Sequence, residues 1–389
     1  MTSLLLPTSG RRIERYTIRN TALPSGEGTA PPTFNRVAYA AAHVVVDPLA
    51  AADPQLDSAI DWEATLKFRH YLWDLGFGVA EAMDTAQRGM GLGWPAALEL
   101  IRRTLLEARS RPGAWVGCGA GTDHLAPGAA RTLADVSAAY ETQIEALEAL
   151  DGRIILMASR ALVEVATGPE DYRSVYGRIL RQVRHPVVIH WLGEMFDPAL
   201  AGYWGTHDHL EAMDVALSVI AENTANVAGV KISLLSKEKE IMMRHRLPPG
   251  VRMYTGDDFN YAELIAGDDR GYSDALLGIF DAIAPAASAA LTRLAAGDTA
   301  GFHDLLAPTV PLSRHIFAAP TRFYKTGIVF LAYLNGLQNH FHMLGGQQSA
   351  RSLQHLAELF RLADTARVLR DPELAARRAA NVMALGGVS

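Results

Sequence analysis

A single lysine lies within the short apolar run Val227-Ala-Gly-Val-Lys-Ile-Ser233. Taking an ammonium out of water is costly unless the group is paired or gives up its proton. A lysine kept neutral in an apolar pocket is a nucleophile and forms an imine with a carbonyl compound. The competing reading of Lys231 is a strand-end side chain that snorkels its amine to solvent. The residues around it have to decide between the two.

Other residues capable of chemistry recur at the ends of similar apolar runs. They are His43 and Asp47, Glu81 and Asp84, Asp123 and His124, Ser159 and Arg160, His190 and Glu194, Ser233, and Asp257 and Asp258. An imine mechanism needs an amine partly deprotonated near neutrality, which burial or a cation such as Arg160 would achieve. It also needs a proton shuttle, for which Glu81, His190 and Ser159 are the candidates. The expected catalytic set is therefore Lys231, His190, Glu81, Ser159 and Arg160. His43, Asp84, Asp123, His124, Glu194, Ser233, Asp257 and Asp258 are expected to bind the substrate. The lysine itself replaces a cofactor.

A second reading gives His43, Glu81, His190 and Glu194 a divalent cation that polarises a carbonyl, although no tight ligand motif supports it. His207 and His209 have His-x-His spacing, but they fall at a predicted helix start on the surface. A third reading is a non-catalytic binding module with Lys231 solvated or salt-bridged. Several acids also have structural roles open to them. Asp47 and Asp197 precede prolines and read as turn residues, while Asp123 and Asp257 are placed to cap helices.

Such residues share one rim only if the elements behind them place them there. Apolar strands are read at Arg36–Val46, 78–81, 114–117, 154–158, 187–191, 229–232 and 251–254, with a weaker one near 271–273. Amphipathic helical stretches lie between them, at 94–109, 133–150, 169–182, 210–223 and 259–265. This alternation implies parallel strands with right-handed crossovers, and eight units close a (β/α)8 TIM barrel with its site at the C-terminal strand ends. No Gly-x-Gly-x-x-Gly follows the first strand, which counts against a doubly wound sheet. Residues 1–35 read as an extension, with a hairpin from Leu4–Leu6 and Ile13–Ile18 and a Pro/Gly-rich linker at 24–32. The barrel is expected over 36–285. A helical region follows over 286–389, in which Tyr324-Lys325 and Gln338–His342 read mainly as helix packing.

The net charge of −6 brings no basic stripe to neutralise phosphates, so nucleic acid is not an expected partner. One cysteine, Cys118, precludes an internal disulfide and fits a reducing cytoplasm. No signal peptide and no membrane-spanning apolar run is read. The expected partners are a small-molecule substrate and further copies of the chain, as a dimer or tetramer.

The segments also follow a known order. His185-Pro-Val-Val-Ile-His-Trp-Leu, then Asn226-Val-Ala-Gly-Val-Lys-Ile-Ser about 40 residues on, then Tyr254-Thr-Gly-Asp-Asp, with Gly117-Cys-Gly-Ala-Gly-Thr upstream, resemble the dihydrodipicolinate synthase and N-acetylneuraminate lyase superfamily of class I aldolases. The resemblance spans about residues 36–345. It implies a barrel with helical C-terminal region and a Schiff-base lysine on the sixth strand, here Lys231. Two departures mark a divergent branch. Where the family carries Gly-Thr-Thr-Gly-Glu to hold a 2-oxo acid, this chain has Gly78-Val-Ala-Glu-Ala-Met-Asp84. Where the fourth strand carries a proton-relaying tyrosine, it has Leu156-Met-Ala-Ser-Arg160. The expected substrate is thus a neutral keto-sugar, in carbohydrate metabolism, rather than pyruvate.

Overall fold

The structure, a computed structural model, describes residues 2–21 and 31–388. Eight parallel strands close a barrel: β3 (Ala38–Ala41), β4 (Gly78–Glu81), β5 (Val116–Ala120), β6 (Arg153–Leu156), β7 (Val187–Leu192), β8 (Val227–Ser233), β9 (Arg252–Thr255) and β10 (Asp274–Leu277). β10 returns to pair with β3. The expected α/β barrel is therefore the fold. The weak eighth strand forms three residues later than read, and the first is trimmed at both ends. Most of the predicted linker, including Pro24, lies outside the described residues.

All eight strands are short and mostly buried on both faces, so apolar runs rather than alternation mark them. Inside the barrel, Tyr39, Ala80, Ile155, Val188, Tyr254 and Leu276 pack together, with Trp115 against Tyr39. Alternate strand residues, such as Val79, Cys118, Ile189 and Val230, belong instead to the larger cluster shared with the surrounding helices. Aromatic residues thus plug the barrel centre, with the Arg252–Asp274 ion pair towards the N-terminal strand ends and Lys231 towards the C-terminal ends. The longest pairing joins β7 to β8 and puts His190 beside Lys231 in register.

The C-terminal region adds six helices, Ala284–Ala295, Thr299–Leu306, Thr309–Ile316, Tyr324–Leu334, Leu353–Thr365 and Pro372–Leu385. Every residue of Tyr324–Leu334 is buried, as expected of a helix apolar on all faces. That helix packs on the short helix Ile279–Ala282, which follows β10. Its first residues are thereby delivered to the barrel mouth. At the N-terminus, β1 (Ser3–Pro7) and β2 (Ile13–Thr17) form the expected antiparallel hairpin. The hairpin docks on the last two helices, where Tyr16 Oη donates to Asp364 at 2.6 Å. No helix among the described residues is long and apolar enough to cross a membrane.

Candidate active site

Lys231 shares the inward parity of β8 with Gly229, and only 8% of its surface is exposed. Its side chain passes so close to Gly256 that a Cβ there would lie 2.7 Å from Lys231 Cε and 2.2 Å from Ser233 Oγ. Any larger residue at 256 would displace the lysine. Burial pushes the Lys231 amine below its ordinary value, while Asp258 and Asp84 pull the other way. A space of about 10 Å³, no more than one water, adjoins it and is lined by Asp84, Thr85, Ser233, Asp258 and Tyr324, with Leu192 and Phe196.

Each neighbour is held by contacts from other elements of the barrel mouth. Burial raises the Asp258 carboxyl to about 7, against a backbone hydrogen bond from Ile279 N at 2.9 Å and the nearby Lys231. Ser233 Oγ lies 3.2 Å from His190 Nε2, while His190 Nδ1 is buried without a partner among the described residues. Burial, then the Lys231 charge, depresses His190 well below the usual imidazole range, so the ring is neutral. Tyr324 Oη meets Thr85 Oγ1 at 2.8 Å, its ring stacks on Phe317, and burial keeps the phenol protonated. Gly278, at the end of β10, admits that ring, since a Cβ would be 3.1 Å from Tyr324 Cε2.

A larger cavity of about 310 Å³ opens above β5, β6 and β7 and shares Asp84 and Leu192 with the Lys231 space. His190, Thr122, Asp123, Arg160 and Asp197 line it. Arg88 binds Asp123 through two nitrogens at 2.6 and 2.7 Å, and Arg160 Nε meets Asp197 at 2.5 Å. The turn reading of Asp197 also holds, since Oδ1 accepts from Ala199 N. Asp47 closes its own turn by accepting from Leu49 N.

Several expected positions need correction. Glu81 follows Val79 in facing outward, where Arg69 binds it bidentately at 2.7 and 2.9 Å and Thr104 Oγ1 donates at 2.7 Å. Its Oε1 also accepts from Ala82 N, whose residue has φ of +53°. Glu81 thus holds the strained turn that aims Asp84 inward, without reaching the pocket. Ser159 caps the helix Arg160–Val165 through Leu162 N and meets Thr122 Oγ1, so its hydroxyl is committed away from Lys231. Arg160 is half exposed and paired with Asp197, and burial rather than this cation lowers the Lys231 amine.

His43 lies outside the strands, with Nδ1 2.7 Å from Asp281 and Nε2 3.1 Å from Gln338. Glu194 turns to His209 at 3.2 Å. Asp257 accepts from Phe259 N and Asn260 N and closes the turn before the helix Tyr261–Ala266. His124 is exposed beside Gln143. His43, Glu81, His190 and Glu194 therefore do not converge on one point, and no group of three His, Cys, Asp or Glu able to hold a metal ion occurs among the described residues. Sequence reasoning missed Tyr324 and Thr85 as pocket residues. Nothing local in the sequence marks Tyr324, because only the packing of its helix brings it to the mouth.

Residues 4–388 match the family described as "Protein of unknown function (DUF993)". The chain belongs to that family. No curated protein matches it. Solved structures that share the fold include dihydrodipicolinate synthase from Aquifex aeolicus, with 11% identity and a TM-score of 0.66 over 86% of this chain and 99% of that one. YagE from Escherichia coli K12, a dihydrodipicolinic acid synthase family member in complex with pyruvate, gives 14% identity and 0.66 over 86% and 100%. The Acinetobacter baumannii dihydrodipicolinate synthase complexed with pyruvate gives 16% and 0.64 over 86% and 99%. This member of the DUF993 family therefore has the dihydrodipicolinate synthase fold, as its strand-five to strand-seven motifs implied.

Proposed function

We propose that the protein is a Schiff-base-forming lyase of the class I aldolase kind, acting on a polar carbonyl compound through Lys231. The observation that carries this reading is an under-partnered buried lysine at the C-terminal barrel mouth, beside two carboxylates and a protonated phenol. The amine, whose charged form burial disfavours, attacks the carbonyl carbon in its neutral form, and loss of water from the carbinolamine leaves the imine. Asp258, shared between its two protonation states near neutrality, gives the proton that lets that water depart. Asp84 takes the proton of the substrate hydroxyl as the C–C bond breaks. The bonding electrons move to the imine nitrogen, and the Tyr324–Thr85 hydroxyl pair serves the proton return to carbon. Tyr324 thereby occupies the role left open by the missing tyrosine of the fourth strand.

The substrate we favour is a keto-sugar. Asp84 and Asp258 would repel the carboxylate of a 2-oxo acid, whereas carboxylates and hydroxyls bind sugar hydroxyls well. The cytoplasm and a homo-oligomer remain part of the proposal on the sequence arguments alone. The test is borohydride reduction of the protein with a panel of ketoses and 2-oxo acids, followed by peptide mass mapping. An adduct on Lys231 from ketoses is expected. No adduct with any carbonyl compound would sink the imine reading, and a preferred 2-oxo acid adduct would sink the substrate.

A further inference from the structure

The cavity above β5–β7 has a charge pattern that the lysine chemistry does not explain. Four carboxylates, Asp84, Asp123, Glu164 and Asp197, line it against two guanidinium groups, Arg88 and Arg160. Arg88 has no donor to spare. Its nitrogens already serve Asp123, Ala82 O, Gly119 O and Gln143 Oε1. A guanidinium with all its donors occupied cannot grip a phosphate or carboxylate. Among the described residues Arg160 uses only Nε, on Asp197, which leaves its two terminal nitrogens without a partner there at the cavity rim. The carboxylates are less saturated. Asp84 accepts no side-chain hydrogen bond among the described residues, and Glu164 accepts only from Gly128 N, through Oε2. The lining therefore offers an excess of acceptors, one set of free donors and two more acidic than basic side chains, with Lys325 behind Asp84 and Asp197.

That combination suits hydroxyl groups, each of which both donates and accepts, and repels anions. The cavity holds on the order of ten waters at about 30 Å³ each, at the small end of ligand pockets, which is monosaccharide scale. It meets the Lys231 space at Asp84 and Leu192, so one molecule can reach from the amine to the rim.

We propose that this cavity is a subsite for the uncharged polyhydroxylated tail of the substrate, bound by Asp123, Glu164, Asp197 and the free edge of Arg160, and that it rejects phosphorylated or carboxylated tails. The proposal rests on the lysine reading only for which end of the substrate reacts. Alditols lack a carbonyl and cannot form an imine, so their binding isolates the subsite. Calorimetric titration of the full chain with pentitols and hexitols, with their phosphate monoesters and with the matching aldonates is the test.

Neutral alditols are expected to bind at least about tenfold more tightly than either anionic series, a difference of about 1.4 kcal/mol. Glu164→Gln should weaken alditols several-fold. Glu164→Lys should narrow or reverse the discrimination against phosphate esters. Glu164 is at the surface with one hydrogen bond, so both variants are expected to fold. Tighter binding of the phosphate esters or aldonates by the unaltered protein would overturn the proposal, as would folded protein that binds no alditol. Alditol binding without any borohydride adduct would instead retain the subsite and remove the imine chemistry.

Discussion

The barrel carries two kinds of buried polar group, on opposite faces of the same strand ends, and they differ in how well they are partnered. On the outer face, Glu81 receives Arg69, Thr104 and a backbone amide. On the inner face, His190 Nδ1 has no partner among the described residues, Asp258 is driven towards protonation and Lys231 towards deprotonation. Burial is equally complete on both sides, so burial alone does not mark function. Buried groups left short of partners cost stability, and such cost is typically tolerated where it does chemistry.

Exchanging one residue on each face gives the largest contrast. Lys231→Met should abolish the borohydride adduct and lower turnover by at least about 10³-fold, while thermal unfolding stays at or above the parent value. Arg69→Ala should do the reverse in kind. It strands Glu81 with an unpaired buried charge, costing about 3–5 kcal/mol in chemical denaturation. If Lys231→Met unfolded as readily as Arg69→Ala, the inner lysine would be structural and the contrast would fail.

Tyr324→Phe sharpens the comparison within the inner face. The ring keeps its stack on Phe317, 4.3 Å between centroids, but the hydroxyl shared with Thr85 is gone. Turnover should fall by about 10²-fold or more, while the Lys231 adduct still forms in single-turnover trapping. Equal loss of adduct and turnover would place Tyr324 in binding rather than proton transfer.

Asp258 gives a pH signature. Its folded value of about 7 lies above the ordinary 3.8, so folding favours the protonated form. The associated stability is fully present below about pH 4 and is lost as pH rises through 7, by at most about 4 kcal/mol. Asp258→Asn retains an acceptor for Ile279 N and removes that loss. The variant should be more stable than the parent at pH 8 and nearly equal to it at pH 4 in urea titrations. Its activity should fall, and the alkaline limb near pH 7 should vanish from kcat. An unchanged limb would assign that titration to another group.

The same inner–outer distinction explains how much was legible in the sequence. Strand-helix alternation and the spacing of the β7, β8 and β9 motifs place Lys231, Ser233, His190 and Asp258 together, because parallel register turns sequence order into adjacency. Parity was not legible on β4, a four-residue strand buried on both faces. Nothing in Gly78–Glu81 says which side Glu81 takes, and it took the side of Arg69. Ser159 was misplaced because the short helix it caps went unread. Tyr324 lies about 90 residues beyond Lys231, and its arrival depends on how a wholly buried helix packs, which no local pattern encodes.

The smallest expected effect tests whether the outer network acts on chemistry at all. Thr104 donates its hydroxyl to Glu81 Oε2 at 2.7 Å from the helix Trp94–Arg109 and is fully buried. Thr104→Val keeps the shape and removes one of four donors, leaving the bidentate Arg69 contact in place. A loss of about 1–2 kcal/mol is expected, since one charge-assisted hydrogen bond goes and the carboxylate stays paired. Turnover and the Lys231 adduct should be unchanged within error, because Glu81 still fixes Ala82 and the turn to Asp84. A drop in turnover at constant adduct yield would show that the Ala82 turn transmits the outer network to Asp84, and the two faces would then be one device.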